Sequence, residues 1–155
     1  MTTIYGVDHP SKSKEILDKA RHRYVYDGLS FDSSPEIAFF IYLKDHSIEF
    51  EYQPSISFEY VFEGKTHKYF PDFKVGTVLY EIKGDHFFRD GKMVCPYRDK
   101  KWSDEQYLLE CAKYEAKHQC MLKNNVVILT SKDYEKYLDY VESTYGKDFL
   151  KQFKN

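Results

Sequence analysis

The stretch IEFEYQPSISFEYVFEGKTHKYFPDFKVGTVLYEIKG, residues 48–84, decides the fold. Apolar side chains alternate with polar ones, first at Ile48, Phe50 and Tyr52, then at Ile56, Phe58, Tyr60 and Phe62. A period of two is that of a strand with one face buried. Glu63-Gly64-Lys65 supplies a turn, His67 to Phe73 reads as a third strand, Lys74 to Thr77 turns again, and Val78 to Lys83 forms a fourth. The pattern predicts a four-stranded meander.

On the N-terminal side, Ser33-Ser34-Pro35-Glu36 is a helix start: a capping hydroxyl, proline in the first turn and an acid near the positive end. The helix runs to about His46, and Glu36 falls on the side of its apolar residues Phe39 and Phe40. On the C-terminal side, residues 85–103 are irregular or form a small extra hairpin. Asp104 to Leu122 is helical, Asn124-Asn125 ends it, and Val126 to Leu129 reads as a central, buried strand. Ser131 caps a last helix, which continues past Gly146 to Phe149, Leu150 and Phe153. A helix between the fourth strand and Val126–Leu129 implies a parallel crossover. The expected class is α/β (α+β), a mixed sheet flanked by helices in the order αα-ββββ-αβα, with residues 1–30 a helical extension, 31–130 the core and 131–155 the C-terminal helix.

At 155 residues the chain can bury one ordinary core, so one domain is expected. With 42% apolar residues, and 15 Tyr, 12 Phe and 1 Trp, it is not a disordered chain. Apolar runs are too short to span a bilayer, and mean hydropathy is −0.66. Met1 to Pro10 lacks a basic segment followed by an apolar one, which makes the cytoplasm the expected compartment. Cys95, Cys111 and Cys120 read as reduced thiols. Together with His118 they lack the spacing of a zinc site. Net charge is −2, but residues 11–23 and 89–101 each net +3, enough to meet phosphates locally.

Four side chains carry the chemistry. Alternation along the fourth strand projects Glu81 and Lys83 from one face while Val78, Tyr80 and Ile82 point to the other. If Asp72 lies opposite or diagonal to Glu81, two carboxylates converge on one hard cation, and Mg²⁺ suits them. Such a site recruits phosphodiesters. The cation acidifies a water and offsets charge on the phosphate, and Lys83 positions that water. The expected reaction is hydrolysis.

Pro71-Asp72, eight intervening residues and Glu81-Ile82-Lys83, with Glu36 on the preceding helix, resemble the signature of the PD-(D/E)XK nuclease superfamily. Residues 33–84 look most like small phage-type endonucleases, such as the junction-resolving endonuclease I, and TnsA-like transposon-end nucleases. The resemblance implies a restriction-endonuclease-like fold, with Mg²⁺ or Mn²⁺ bound by Asp72, Glu81 and the Ile82 carbonyl. Glu36 would complete the acidic cluster and Lys83 assist the attacking water. It also implies a basic or amide residue on the following helix, for which Lys113, Lys117, Gln106 and Gln119 are candidates. Arg98, Lys100 and Lys101, in a segment with Tyr97 and Trp102, are further candidates for contact with DNA. His67, His86 and Asp85 flank the cluster as weaker candidates.

The expected function is that of a metal-dependent DNA endonuclease acting on phage or mobile-element DNA, as a junction resolvase or nickase. It would work as a homodimer or with a partner protein, with no membrane involved. The alternative is a noncatalytic DNA-binding or partner-binding domain on the same scaffold. Which DNA structure or sequence is preferred is not legible.

Overall fold

A computed structural model describes residues 23–155. The chain enters through a hairpin, β1 (Tyr24–Tyr26) and β2 (Leu29–Phe31), joined by Asp27-Gly28 at φ of 52° and 74°. Two positive-φ residues make the turn whose twist matches the strands it joins. The helical extension expected over 1–30 is therefore corrected at 24–30, which is β structure. Residues 1–22 lie outside the described part.

Helix α1 (Ser34–Asp45) follows. Glu36, Ile37, Ala38, Phe39, Phe40, Ile41 and Leu43 are all buried, so the helix is apolar nearly all round and lies inside the molecule. Ser33 does not cap the backbone as expected; its hydroxyl donates to Glu36 Oε2 at 3.0 Å.

The protein is a mixed α+β structure, and its strands are divided differently from a meander. β3 (Glu51–Tyr52), β6 (Phe73–Val75), β7 (Val78–Ile82) and β10 (Val127–Leu129) form one sheet in the order β10-β7-β6-β3. β4 (Phe58–Phe62) and β5 (Lys65–Tyr69) form a hairpin of their own. The strand expected over 67–73 is thus two strands. Pro71 has no N–H to donate to a ladder, and the chain changes partners around it.

Segment 85–103 holds a 3₁₀ turn (Asp85–Phe87) and a two-residue hairpin, β8 (Phe88–Arg89) and β9 (Lys92–Met93). Helix α2 (Asp104–Lys123) starts in a capping box: the Ser103 hydroxyl accepts from the Gln106 N–H, and Gln106 Oε1 accepts from the Ser103 N–H. It delivers β10 parallel to β7, with Ile128 beside Glu81. β10 is an edge strand and Val127 is exposed, which corrects the central placement. An apolar run reports cover on the faces of a strand and is silent about its edges.

Helix α3 (Ser131–Tyr145) has Thr130 as its N-cap rather than Ser131, and Asp133 accepts from the Thr130 N–H at 3.0 Å. It stops at Gly146, whose φ of +118° only glycine adopts readily. The continuous C-terminal helix is thereby corrected: residues Phe149–Phe153 are a separate 3₁₀ turn, and Phe153 packs edge-on against Tyr26 at 4.7 Å.

Two apolar clusters cover opposite faces of the sheet. Tyr80, Ile82 and Leu129 meet α1 and α3, whereas the alternate residues Leu79 and Ile128 meet Met121, Cys120 and Tyr69. Among the described residues no helix is long and apolar enough to cross a membrane.

Phe40 is fully buried, with Phe31 and Phe50 edge-on at 5.4 and 5.2 Å. Phe40→Ala leaves a cavity that its neighbours cannot fill and should destabilise the fold by about 4 kcal/mol. Ser103→Ala removes only a cap and should cost about 1 kcal/mol. Urea unfolding of both variants should give midpoints in that order at an unchanged slope.

Candidate active site

The site begins with a strand register. In the antiparallel pair β6–β7, Phe73 faces Tyr80 and Lys74 faces Leu79. Beyond that register the Asp72 N–H donates to the Tyr80 carbonyl at 3.0 Å, which keeps the backbone of Asp72 against β7. The Ile82 N–H donates to Asp72 Oδ2 at 2.8 Å, which locks the carboxylate across the strand pair. Asp72 and Glu81 are 7% and 4% exposed. Burying a carboxylate is costly unless it is bonded, and each has a donor: the Tyr69 hydroxyl gives its proton to Glu81 Oε1 at 2.7 Å. Lys83 Nζ lies 3.6 Å from Glu81 Oε2 and 4.4 Å from the Phe87 ring centroid. Glu81 and Lys83 project together, as alternation requires.

These groups open into a cleft of about 870 Å³, lined by Glu36, Asp72, Glu81, Ile82 and Lys83 with Asp32, Arg23 and several rings. All four residues singled out from the sequence meet there. Among the described residues the lining holds four carboxylates (Asp32, Glu36, Asp72 and Glu81) and two cations (Arg23 and Lys83). Two tyrosines sense this field. Burial, then Glu36, Asp72 and Asp32, hold the Tyr52 hydroxyl well above its usual range. Burial, then Glu81 and Asp72, do the same at Tyr69. Both hydroxyls stay protonated donors: Tyr52 donates to the Ser30 carbonyl at 2.6 Å.

Among the described residues, no three His, Cys, Asp or Glu side chains form a complete metal-ligand set. Mg²⁺ does not require one, because it is commonly held by one or two carboxylates and completes its octahedron with water and substrate oxygen. Buried oxygen donors lining one cleft fit a hard divalent cation. Asp72, Glu81 and the Ile82 carbonyl are the groups that would hold it, with Glu36 and its Ser33 bond on the helix side.

The remaining candidates separate. Lys117 Nζ lies 5.8 Å from the Tyr69 ring centroid, and neither it nor Lys113 lines the cleft. Gln106 caps α2, and Gln119 donates to Glu115 Oε2 at 2.6 Å. Arg98 is bonded to Asp104 and to the Trp102 carbonyl, while Lys100 and Lys101 sit in an exposed turn. His67 stacks on Tyr60 in the separate hairpin. His86 lines the cleft and lies so close to Gly84 that a Cβ there would meet its ring at 2.5 Å. The Cys95 N–H donates to Cys111 Sγ at 3.4 Å, Cys120 is in the core beside Asn124, and His118 bonds Glu115 at 2.9 Å. No shared ligand geometry unites them.

Arg23, Asp32, Tyr114 and Tyr134 line the cleft without having been singled out. Arg23 belongs to the basic stretch 11–23, which was a faint signal; nothing local marks the other three.

Asp85 is turned away from the acids. It accepts from the Ser131 hydroxyl and, at 3.1 Å, from the Ser131 N–H, tying the turn after Lys83 to the start of α3. These bonds lower its pKa below the usual carboxylate value. A carboxylate with a depressed folded-state pKa stabilises the fold above its unfolded value and loses that contribution as pH falls through the folded one. Asp85→Asn should therefore lower the melting temperature at pH 7, and the difference from the parent protein should close below about pH 4.

Comparison with protein-family models, with curated proteins and with solved structures gives no match to this chain.

Proposed function

We propose that the protein is a divalent-metal-dependent DNA endonuclease that hydrolyses phosphodiester bonds with an activated water. One observation carries the reading: two buried carboxylates, Asp72 and Glu81, line one cleft at the end of the β6–β7 pair, and a lysine stands beside one of them. A structural ion pair explains Lys83 and Glu81 alone. A bound cation would also account for the buried carboxylates of Asp72 and Glu36 lining that cleft.

Asp72, Glu81 and the Ile82 carbonyl would hold Mg²⁺ or Mn²⁺, which would supply charge neutralisation at the phosphate and a lowered pKa for water. The chain's own residues do the rest. The Ile82 N–H and the Tyr69 hydroxyl hold the two carboxylates in place before substrate arrives. Lys83, oriented by Glu81 Oε2 and the Phe87 face, holds the attacking water through its Nζ and offsets charge that develops on the phosphoryl oxygens. Arg23 at the cleft lining offers a second positive group to the phosphodiester backbone. Phage or mobile-element DNA processing is the proposed setting, and a homodimer would supply one site per strand.

Purified protein incubated with supercoiled, branched, linear and single-stranded DNA should cut in the presence of Mg²⁺ and stop on addition of EDTA. Asp72→Asn keeps an acceptor for the Ile82 N–H, so it tests charge without unfolding the turn. It and Glu81→Gln should each reduce cleavage by at least about a hundredfold, and Lys83→Ala by a similar factor. Calorimetric titration with Mn²⁺ should show heat with the parent protein and none with Asp72→Asn. Cleavage retained in Glu81→Gln would remove the site, and no cleavage of any substrate with either metal would leave the noncatalytic binding alternative.

A further inference from the structure

We propose that Tyr97, braced from behind by Trp102, is a stacking platform for an unpaired nucleobase, so that the cleft takes DNA with an unpaired nucleotide beside the scissile phosphate. The inference rests on the nuclease reading above.

Tyr97 lines the same cleft as Asp72, Glu81 and Lys83, yet it is 62% exposed. A lone exposed aromatic is ordinary on a protein surface. This one is held. Trp102 stacks on it with ring centroids 5.9 Å apart and planes 30° from parallel. The loop carrying both rings is closed by its own bonds: Cys95 Sγ donates to the Tyr97 carbonyl at 3.0 Å, the Trp102 N–H to the Asp99 carbonyl at 3.0 Å, and the Lys101 N–H to Asp99 Oδ1 at 2.8 Å. Arg98 Nη2 adds a bond to the Trp102 carbonyl and ties the loop to Asp104 at the start of α2.

A braced ring has surrendered its freedom during folding, so a base stacking on it does not bear that entropy again. Every base presents a π-face, and one stacking contact is worth a substantial share of a single-strand affinity whatever the sequence. In a duplex those faces are already covered by neighbouring pairs. A protein ring engages one only if the nucleotide is unpaired or drawn out of the helix. Exposed Lys100 and Lys101 on the same turn meet the phosphates on either side.

Trp102 is the chain's one tryptophan, so its emission reports on the platform. In the full chain with Glu81→Gln to arrest cutting, and with Mg²⁺ present, a single-stranded oligonucleotide and a duplex with one unpaired nucleotide should quench Trp102. The fully paired duplex of the same sequence should not. Tyr97→Ala should abolish the quench and raise the Kd for the single strand about tenfold, whereas Tyr97→Phe, which keeps the ring, should stay within about twofold. Circular dichroism should show both variants folded. Equal affinity of Tyr97→Ala and its parent, or equal quenching by the paired duplex, overturns the proposal. Metal-dependent cutting by the wild-type chain, with Tyr97→Ala no poorer on unpaired than on paired DNA, removes the platform and leaves the nuclease. Quenching that depends on Tyr97, without cutting of any DNA, keeps the platform and removes the nuclease. Neither signal removes both.

Discussion

The bond from the Ile82 N–H to Asp72 Oδ2, 2.8 Å long, is the constraint on which the site depends. It closes the end of the β6–β7 ladder, where Pro71 has ended regular pairing. A backbone donor that would otherwise serve a strand serves a carboxylate instead. Without it, the buried Asp72 carboxylate would have one donor fewer, and the end of β7 would lose its tie to Asp72.

From that bond the organisation spreads to both faces of the sheet. Tyr80 and Ile82 face α1, which brings Glu36 to the cleft in its first turn, while Tyr69 from the separate hairpin reaches Glu81 on the face covered by α2. Burial first, and these acids second, raise the pKa of the Tyr52 and Tyr69 hydroxyls, which stay protonated donors. The cleft is thus acidic at its base, where the strands end. It is aromatic where segment 85–103 crosses it, with Phe87 and Tyr97 in its lining.

Local signals were read well where one chemical reason dominated. Pro35 and Glu36 mark the start of α1, and Asn124-Asn125 ends α2 where Asn125 takes a φ of 58°. Errors arose where two signals competed. Asp27-Gly28 between Tyr26 and Leu29 is a strong hairpin dipeptide, and it overrides the helix expected over that region. Thr130 and Ser131 are both competent caps, and only the geometry of Asp133 selects the first. Gln106 is a candidate for the basic or amide residue that the resemblance implies on that helix; its partner Ser103 makes it half of a capping box instead.

By itself the sequence determined the strand periodicity, the helix entry at Pro35, the parallel crossover and the convergence of Glu81 with Lys83, because each follows from spacing along one element. The tertiary structure decided that the apolar strand Val127–Leu129 lies at an edge, that 67–73 splits at Pro71, and that Arg23, Tyr69, Tyr97 and Tyr114 surround the acids. Periodicity reports which face of an element is covered. It does not report what covers it, because that partner comes from a distant part of the chain and is chosen by packing.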